Sequence, residues 1–156
     1  MKISKIISGG QTGVDRASLD FAIKNNIKYE GFCPKGRKAE DGIIDKKYKL
    51  TETKSENYYI RTDKNIKISD GTLIIIKNNI WGRGTLLTKK YCKKQNKKSL
   101  VIDIDNDIND NINKITGFIE KYNIRTLNIA GNRESTSPGV YKQTKDFLTD
   151  LFKKSL

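Results

Sequence analysis

Apolar residues recur along this chain in two alternating patterns. Short runs rich in apolar residues predict strands over residues 3–7, 29–33, 71–77, 100–102 and 126–130. The run Thr72–Ile76 is uninterrupted, which is typical of a strand buried on both faces inside a parallel sheet. Between the strands, apolar residues return every three or four positions, as on one face of an amphipathic helix. The clearest such spacing joins Ile108, Ile112, Ile115, Ile119 and Tyr122.

Capping residues mark where three of the helices should begin. Thr12–Asp15 and Thr53–Glu56 both match the Ser/Thr-x-x-Asp/Glu capping box, in which the hydroxyl and the carboxylate satisfy free N–H groups. Ser137–Pro138 matches an N-cap followed by a proline in the first turn. We expect helices to begin at these places, the first ending near Asn26 and the second near Ser69.

Strands and helices alternate from end to end without an internal repeat or a low-complexity linker. This order predicts an α/β fold with an open, mostly parallel sheet and right-handed crossovers. The length of 156 residues fits one domain spanning 1–156. Because the carboxyl ends of parallel strands share one edge, the loops around Gly10, Gly36, Gly84 and Gly131 are expected to converge on one crevice.

The first strand leads into the glycine-rich loop 8–16. Its three glycines, the first of them Gly9, let the main chain adopt positive φ and let a ligand approach closely. The next helix would direct free N–H groups and its positive dipole end at this loop. A tight turn without a ligand is the alternative, and Asp15 favours it because a carboxylate already complements the dipole there. We favour phosphate or nucleotide binding, with the anion lying where the Gly10 and Gly36 loops meet.

Arginine is much rarer than lysine in this chain, and its placement is informative. Of six arginines, four lie within three residues of a glycine in a predicted loop or at a helix start: Arg16, Arg37, Arg83 and Arg133. The planar guanidinium binds phosphate through two parallel hydrogen bonds, which lysine cannot do. In the second loop, Glu40 and Asp41 would either contact a ribose or ring nitrogen or form a solvated acidic pair.

The formal charge of +13 raises the question of nucleic-acid binding. The amino-acid composition is strongly biased toward Lys, Ile and Asn. This bias accounts for much of the positive charge without a role in nucleic-acid binding. The lysine-rich segment 89–98 fits a solvated helix face better than a nucleic-acid patch, so we expect only weak, sequence-independent binding to nucleic acid.

The residue types present narrow the chemistry further. The chain has no histidine, so zinc would lack its usual ligands, and Ser-His-Asp or Cys-His catalysis is excluded. Its two cysteines form no disulfide framework. We find no apolar run of about 18 residues that would span a membrane, and no signal peptide. These features predict a cytoplasmic protein.

Several motifs together resemble the molybdenum carrier family, and the resemblance covers nearly the whole chain. The matching segments are Gly9–Arg16, Cys33–Arg37, Ala39–Gly42, Tyr48–Thr53, Gly131–Ser135 and Ser137–Gly139. This family belongs to the SLOG group of Rossmann-like proteins, which are relatives of the lysine-decarboxylase-like phosphoribohydrolases. The resemblance implies a Rossmann-like sheet with helices on both faces. It also implies a homo-oligomer that binds the molybdenum cofactor, a phosphorylated pterin.

The resemblance also implies which residues face the ligand. The phosphate-facing positions would be Gly10, Gln11, Thr12 and Gly13, and the pocket would be completed by Lys35, Gly36, Arg37, Gly84, Thr85, Arg133 and Glu134. The phosphoribohydrolase relatives have a catalytic glutamate in the third loop, where this chain has Thr88. We therefore favour a binding or carrier protein for molybdopterin or a nucleotide-like ligand over an enzyme. The alternatives are a nucleotide N-glycosidase, with Glu134 as the substitute carboxylate, and a sensor or sequestering protein for a signalling nucleotide.

Overall fold

The computed structural model describes residues 2–154. In that range the elements follow one another as β1 (Lys5–Ile7), α1 (Val14–Lys24), β2 (Lys28–Glu30), β3 (Phe32–Cys33), β4 (Lys38–Ala39), β5 (Gly42–Ile43), β6 (Thr51–Glu52), α2 (Tyr58–Lys67), β7 (Gly71–Ile76), α3 (Arg83–Lys94), β8 (Lys98–Asp103), α4 (Ile108–Lys121), β9 (Thr126–Gly131) and α5 (Val140–Lys154). None of the helices in the described range is long and apolar enough to cross a membrane.

Five strands form the main sheet in the order β2-β1-β9-β7-β8. Every neighbouring pair in this sheet is parallel. Strand β7 is buried along its whole length, as its uninterrupted apolar sequence predicts. The last strand, β9, lies between β1 and β7, so the loops that follow these three strands emerge side by side at one edge of the sheet.

Helices cover both faces of the sheet, which confirms the predicted α/β Rossmann-like architecture. Helices α1, α4 and α5 share one hydrophobic cluster with Leu73 and Ile75 of β7. Side chains alternate along a strand, so Ile74 and Ile76 lie on the opposite face. On that face α3 contacts β7 and packs against α2.

The strand predicted over 29–33 is divided into two. Lys28–Glu30 pairs with β1 in the main sheet, whereas Phe32–Cys33 pairs with β6 in a small separate sheet. Between them a Cβ on Gly31 would lie only 1.9 Å from the carbonyl oxygen of Ser8, so the chain passes tightly against β1. The side chain of Asn65 on α2 then bonds both the N–H and the carbonyl of Phe32, at 2.7 and 3.0 Å.

Both predicted capping boxes are wrong, because other partners occupy the hydroxyl groups of Thr12 and Thr53. Helix α1 begins at Val14 after Gly13, without a side-chain cap. The Thr12 hydroxyl instead accepts the N–H of Glu134 at 3.1 Å. Helix α2 begins only at Tyr58, and the Thr53 hydroxyl donates to the carbonyl of Ser55 in a local turn.

Helix α5 begins at Val140. This is two residues after Pro138, which was predicted to lie in its first turn. Its first N–H groups are satisfied by the carboxylate of Glu134, which accepts from Gly139 at 2.5 Å and from Tyr141 at 3.0 Å. The hydroxyl of Ser137 accepts from the side chain of Asn132. A carboxylate at a helix start also complements the helix dipole, so Glu134 stabilises α5.

Candidate functional site

A cleft of about 740 Å³ opens at the carboxyl edge of the main sheet. Its floor comes from the end of β9, and its sides come from the first loop, α2 and the start of α3. Of the residues selected from the sequence, the lining includes Gly9, Gln11, Arg83, Gly84, Thr85 and Arg133. The third and fourth glycine loops therefore meet the first loop here, as the parallel topology predicts.

The amino end of α3 opens into this cleft without a side-chain cap. Among residues 2–154, none accepts a hydrogen bond from the N–H groups of Arg83, Gly84 or Thr85. Free N–H groups at a helix start, together with the helix dipole, favour an anion. The arrangement is held by Asn132, whose side-chain oxygen accepts from Gly82 N–H at 3.0 Å and from the Thr85 hydroxyl at 2.8 Å.

Other protein groups already bond the amino ends of α1, α4 and α5, the other helices that follow strands of the main sheet. The N–H of Val14 on α1 donates to the carbonyl of Asn132 at 3.2 Å. That contact needs Gly13, because a Cβ there would lie 2.4 Å from the same carbonyl oxygen. Glu134, expected to contact the ligand, caps α5. The start of α3 therefore remains available to a ligand, as does the start of α2, which also lacks a side-chain cap and lies beside the cleft at Tyr58 and Tyr59.

The four arginines selected from the sequence divide into two pairs. Arg83 and Arg133 line the cleft, and neither guanidinium makes a hydrogen bond within residues 2–154. Arg133 lies 3.6 Å from the Glu40 carboxylate and 5.5 Å from the centre of the Tyr58 ring. Two guanidinium groups therefore line the cleft without a hydrogen bond to the described chain, and only that of Arg133 lies near a carboxylate.

Arg16 and Arg37 instead hold loops together. Arg16 pairs with Asp41 at 2.7 Å and donates to the carbonyl of Gly10 at 3.0 Å. Arg37 donates to the carbonyls of Ile44, Asp45 and Tyr48 at 2.8 to 3.0 Å. Both side chains make their directional contacts with the protein itself.

The expected anion position, where the Gly10 and Gly36 loops meet, is filled by side chains. A Cβ on Gly10 would lie 2.7 Å from Leu50 and 3.1 Å from Ile44. The N–H of Gly36 donates to the Glu52 carboxylate at 2.7 Å, and neither Gly36 nor its exposed neighbour Lys35 lines the cleft. The α3 end of the cleft is therefore the better anion site, because its donors are free.

Glu40 joins three loops rather than remaining solvated. Its carboxylate accepts hydrogen bonds from the Thr12 hydroxyl and from both the N–H and the hydroxyl of Ser135. Partial burial raises the pKa of Glu40, whereas the hydrogen bonds from Ser135 and Thr12 lower it. The lowering is larger, so the pKa of Glu40 is below its usual value. Glu40 thereby fixes the loop that carries Arg133.

The buried ion pair of Asp15 and Arg61 was not among the expected site residues. Arg61 reaches from α2 to the first loop, where Nη1 lies 2.8 Å from the Gly9 carbonyl and 3.5 Å from Oδ2 of Asp15. Both residues line the cleft and are over nine-tenths buried. Burial raises the pKa of Asp15 and lowers that of Arg61, in each case by more than the partner's charge compensates.

Gln11 is a second buried polar residue with unusual bonding. It is only 6% exposed, and its side-chain oxygen accepts from the N–H groups of Thr12 and Glu40 at 3.0 and 2.9 Å. Its Nε2 has no hydrogen-bond partner among residues 2–154, and the residue lines the cleft. Buried donors are normally satisfied, so this free donor beside the cleft makes Gln11 a candidate for ligand binding.

Two comparisons match this chain to known proteins, one by its sequence and one by its fold. Residues 6–152 match the model of the circularly permutated YpsA SLOG family. The crystal structure of a putative molybdenum carrier protein from Syntrophus aciditrophicus SB is 45% identical in sequence, and the alignment covers 96% of this chain and 94% of that one. The two folds superpose with a TM-score of 0.91. No curated protein matches the chain significantly.

Proposed function

This chain belongs to the circularly permutated YpsA SLOG family, and we propose that it is a carrier or binding protein whose phosphorylated ligand lies in the cleft with its anion at the start of α3. The structural relative named as a molybdenum carrier supports the carrier role. The ligand would be a phosphorylated pterin, as in the molybdenum cofactor, or a nucleotide-like molecule. A protein that sequesters or senses such a nucleotide would use the same site.

One observation carries the proposal: free main-chain donors and two arginines meet in the cleft. The N–H groups of Arg83, Gly84 and Thr85 and the guanidinium of Arg83 have no acceptor in the described chain, and the guanidinium of Arg133 makes no hydrogen bond, although it lies 3.6 Å from the Glu40 carboxylate. A phosphate offers oxygens to both kinds of donor, and such charge-assisted hydrogen bonds are stronger than neutral ones. The cleft volume lies within the range of about 300–1,000 Å³ that is usual for small-molecule sites.

The same groups fit the phosphate of the molybdenum cofactor. Gln11 adds an unsatisfied donor for the organic part of the ligand. Within residues 2–154 there is no group of three or more His, Cys, Asp and Glu side chains that could hold a metal ion. We therefore assign the contacts of this chain to the phosphate and the ring of the ligand.

The structure favours binding over N-glycoside hydrolysis. Both oxygens of Glu134, the expected substitute carboxylate, accept main-chain N–H groups of α5. Thr88 lines the cleft, but its hydroxyl donates to the carbonyl of Gly84 at 2.9 Å. The carboxylate that does line the cleft, Asp15, is paired with Arg61.

Titration calorimetry with matched arginine variants tests the anion site. We expect nucleoside monophosphates to bind the wild-type protein, and Arg133→Ala to weaken binding by roughly tenfold or more, since one charge-assisted hydrogen bond is worth about 1.5–3 kcal/mol. Arg125→Ala removes the same charge at the exposed amino end of β9, at the opposite edge of the sheet, and should leave affinity unchanged. Equal affinity in the wild type and Arg133→Ala would remove the start of α3 from the site.

We also propose, from the family resemblance, that the protein works in the cytoplasm as a homo-oligomer. Ile80 and Leu86 beside the cleft are 45% and 54% exposed, so they offer apolar area for contact between copies. Light scattering after size-exclusion chromatography measures the assembly. A protein that stays monomeric at all concentrations would refute the proposal of a homo-oligomer. If the surface with Leu86 forms the interface, Leu86→Lys should weaken assembly.

A further inference from the structure

We propose that the cleft recognises a heterocyclic ring, through an acceptor on Asp15 and a donor on Gln11. The preferred ligand is then a phosphorylated heterocycle with an N–H beside a hydrogen-bond acceptor, not a free oxyanion. The inference rests on the proposed function, because it needs the phosphate of the ligand at the start of α3.

Asp15 supplies the acceptor. Its Oδ2 is occupied, since it accepts from the N–H of Gln11 at 3.2 Å and lies 3.5 Å from Nη1 of Arg61. Among residues 2–154 none donates a hydrogen bond to the other oxygen, Oδ1. Asp15 is 8% exposed and lines the cleft, so a ligand N–H placed there would meet an acceptor shielded from solvent.

Gln11 supplies the donor. The N–H groups of Thr12 and Glu40 hold its side-chain oxygen, and this fixes the orientation of the amide because that oxygen must be the acceptor. Nε2 is then buried without a partner. Leaving a buried donor unsatisfied is unfavourable, and a carbonyl oxygen or ring nitrogen of the ligand would satisfy it.

Charge gives the ligand a direction in the cleft. An anion is attracted by the positive charges of Arg83 and Arg133 and by the amino end of α3. The Asp15 carboxylate repels it. The uncharged part of the ligand therefore belongs beside Asp15 and Gln11, and the phosphate belongs at α3. Arg61 pairs with the occupied oxygen, and its positive charge opposes the effect of burial on Asp15 and favours the ionised form, in which the other oxygen is an acceptor.

Guanine, adenine and pterins all present an N–H donor, on the ring or on an amino group of the ring, next to an acceptor. Ribose 5-phosphate, inorganic phosphate and molybdate have no N–H donor. A site that bonds such an edge rejects analogues without it, because its own buried groups are then left unpaired. We therefore expect discrimination by the ring and not only by the charge.

The experiment compares the binding of GMP, AMP, ribose 5-phosphate and inorganic phosphate by titration calorimetry. In the wild type, at least one of the two nucleotides should bind tenfold or more tightly than ribose 5-phosphate. Asp15→Asn turns the free acceptor into a donor, and Gln11→Glu keeps the bonded oxygen but replaces the free donor by an acceptor. Each should abolish this preference while ribose 5-phosphate still binds. Asp41→Asn, which removes a carboxylate outside the cleft, is the matched control and should retain the preference.

Thermal unfolding of each variant verifies that it folds. If Asp15→Asn does not fold, Gln11→Glu alone tests the proposal. The inference is overturned if wild-type protein binds both nucleotides no more tightly than ribose 5-phosphate, or if a folded variant keeps the preference. In those cases the anion site and the proposed function survive. If no phosphorylated compound binds at all, the proposed function fails as well.

Discussion

Gly9 makes room for Arg61. A Cβ on Gly9 would lie 2.2 Å from Nη1 of Arg61, although the two residues are 52 positions apart in the chain. The absent side chain lets the guanidinium reach the Gly9 carbonyl and pair with Asp15 inside the cleft. One glycine of the first loop therefore makes space for a buried arginine of α2.

Gly9→Ala should lower the free energy of unfolding by about 1–3 kcal/mol, because the added methyl group overpacks the Arg61 side chain. Gly84→Ala is the matched control. Its Cβ would meet no atom within 4 Å, and it lies in α3, so alanine should stabilise the protein by about 0.5–1 kcal/mol. Urea denaturation measures both. A Gly9→Ala variant as stable as the wild type would contradict the close contact.

A double-mutant cycle on Asp15 and Arg61 should reveal strong coupling. Arg61→Met or Asp15→Leu alone leaves a buried charge unpaired and should cost about 3–5 kcal/mol, whereas the double variant should cost clearly less than the sum. The exposed pair Lys142–Asp146, with N and O also close at 2.7 Å, provides the control cycle. Its coupling should not exceed about 1 kcal/mol. Additive losses for the buried pair would show that the two charges do not interact.

The Arg37→Ala substitution should destabilise the protein. The guanidinium donates to three carbonyls between Ile44 and Tyr48, so its loss should lower the free energy of unfolding by about 1.5–3 kcal/mol or more. Lys35→Ala removes a neighbouring positive charge that is exposed, and should change stability little. Calorimetry on the folded variants then measures affinity. If Arg37→Ala bound phosphate more weakly but were as stable as the wild type, Arg37 would instead be a binding residue.

Glu40→Gln should change the dependence of stability on pH. The hydrogen bonds that Glu40 accepts hold its folded pKa below the usual 4.5. A carboxylate with a lowered pKa contributes stability above pH 4.5 and loses it as the pH falls through the folded value. The difference in unfolding free energy between wild type and variant should therefore shrink below pH 4.5. Glu120→Gln on α4 removes another exposed carboxylate and is the control variant. A constant difference down to pH 2 would contradict the role of Glu40.

Glu134 should behave as a helix cap and not as a catalytic group. Glu134→Ala removes the acceptor of two N–H groups at the start of α5 and should cost about 0.5–2 kcal/mol of stability. Incubation with nucleoside monophosphates, followed by chromatography of the free base, should reveal no appreciable hydrolysis. Robust turnover that Glu134→Gln abolishes would instead establish the N-glycosidase alternative.

Much of the fold could be predicted because its signals are local. The buried run in β7 and the helical spacing of α4 and α5 each depend on residues close in sequence, and the structure confirms these elements. The alternation of strands and helices then implied a parallel sheet, and a parallel sheet implied one edge on which the loops converge. The glycine motifs likewise indicated the family.

Tertiary structure decided which of the selected residues line the cleft. Arg37 and Arg133 are both arginines beside glycine loops, yet Arg37 donates to carbonyls of its own loop, whereas Arg133 lines the cleft and makes no hydrogen bond within residues 2–154. Thr12 has the sequence signature of a helix cap, but the N–H of Glu134 reaches its hydroxyl from a distant loop. Sequence spacing determines which groups can bond within one element. Which groups stay free depends on what segments far along the chain bring next to them, and that is settled only when the sheet and helices pack.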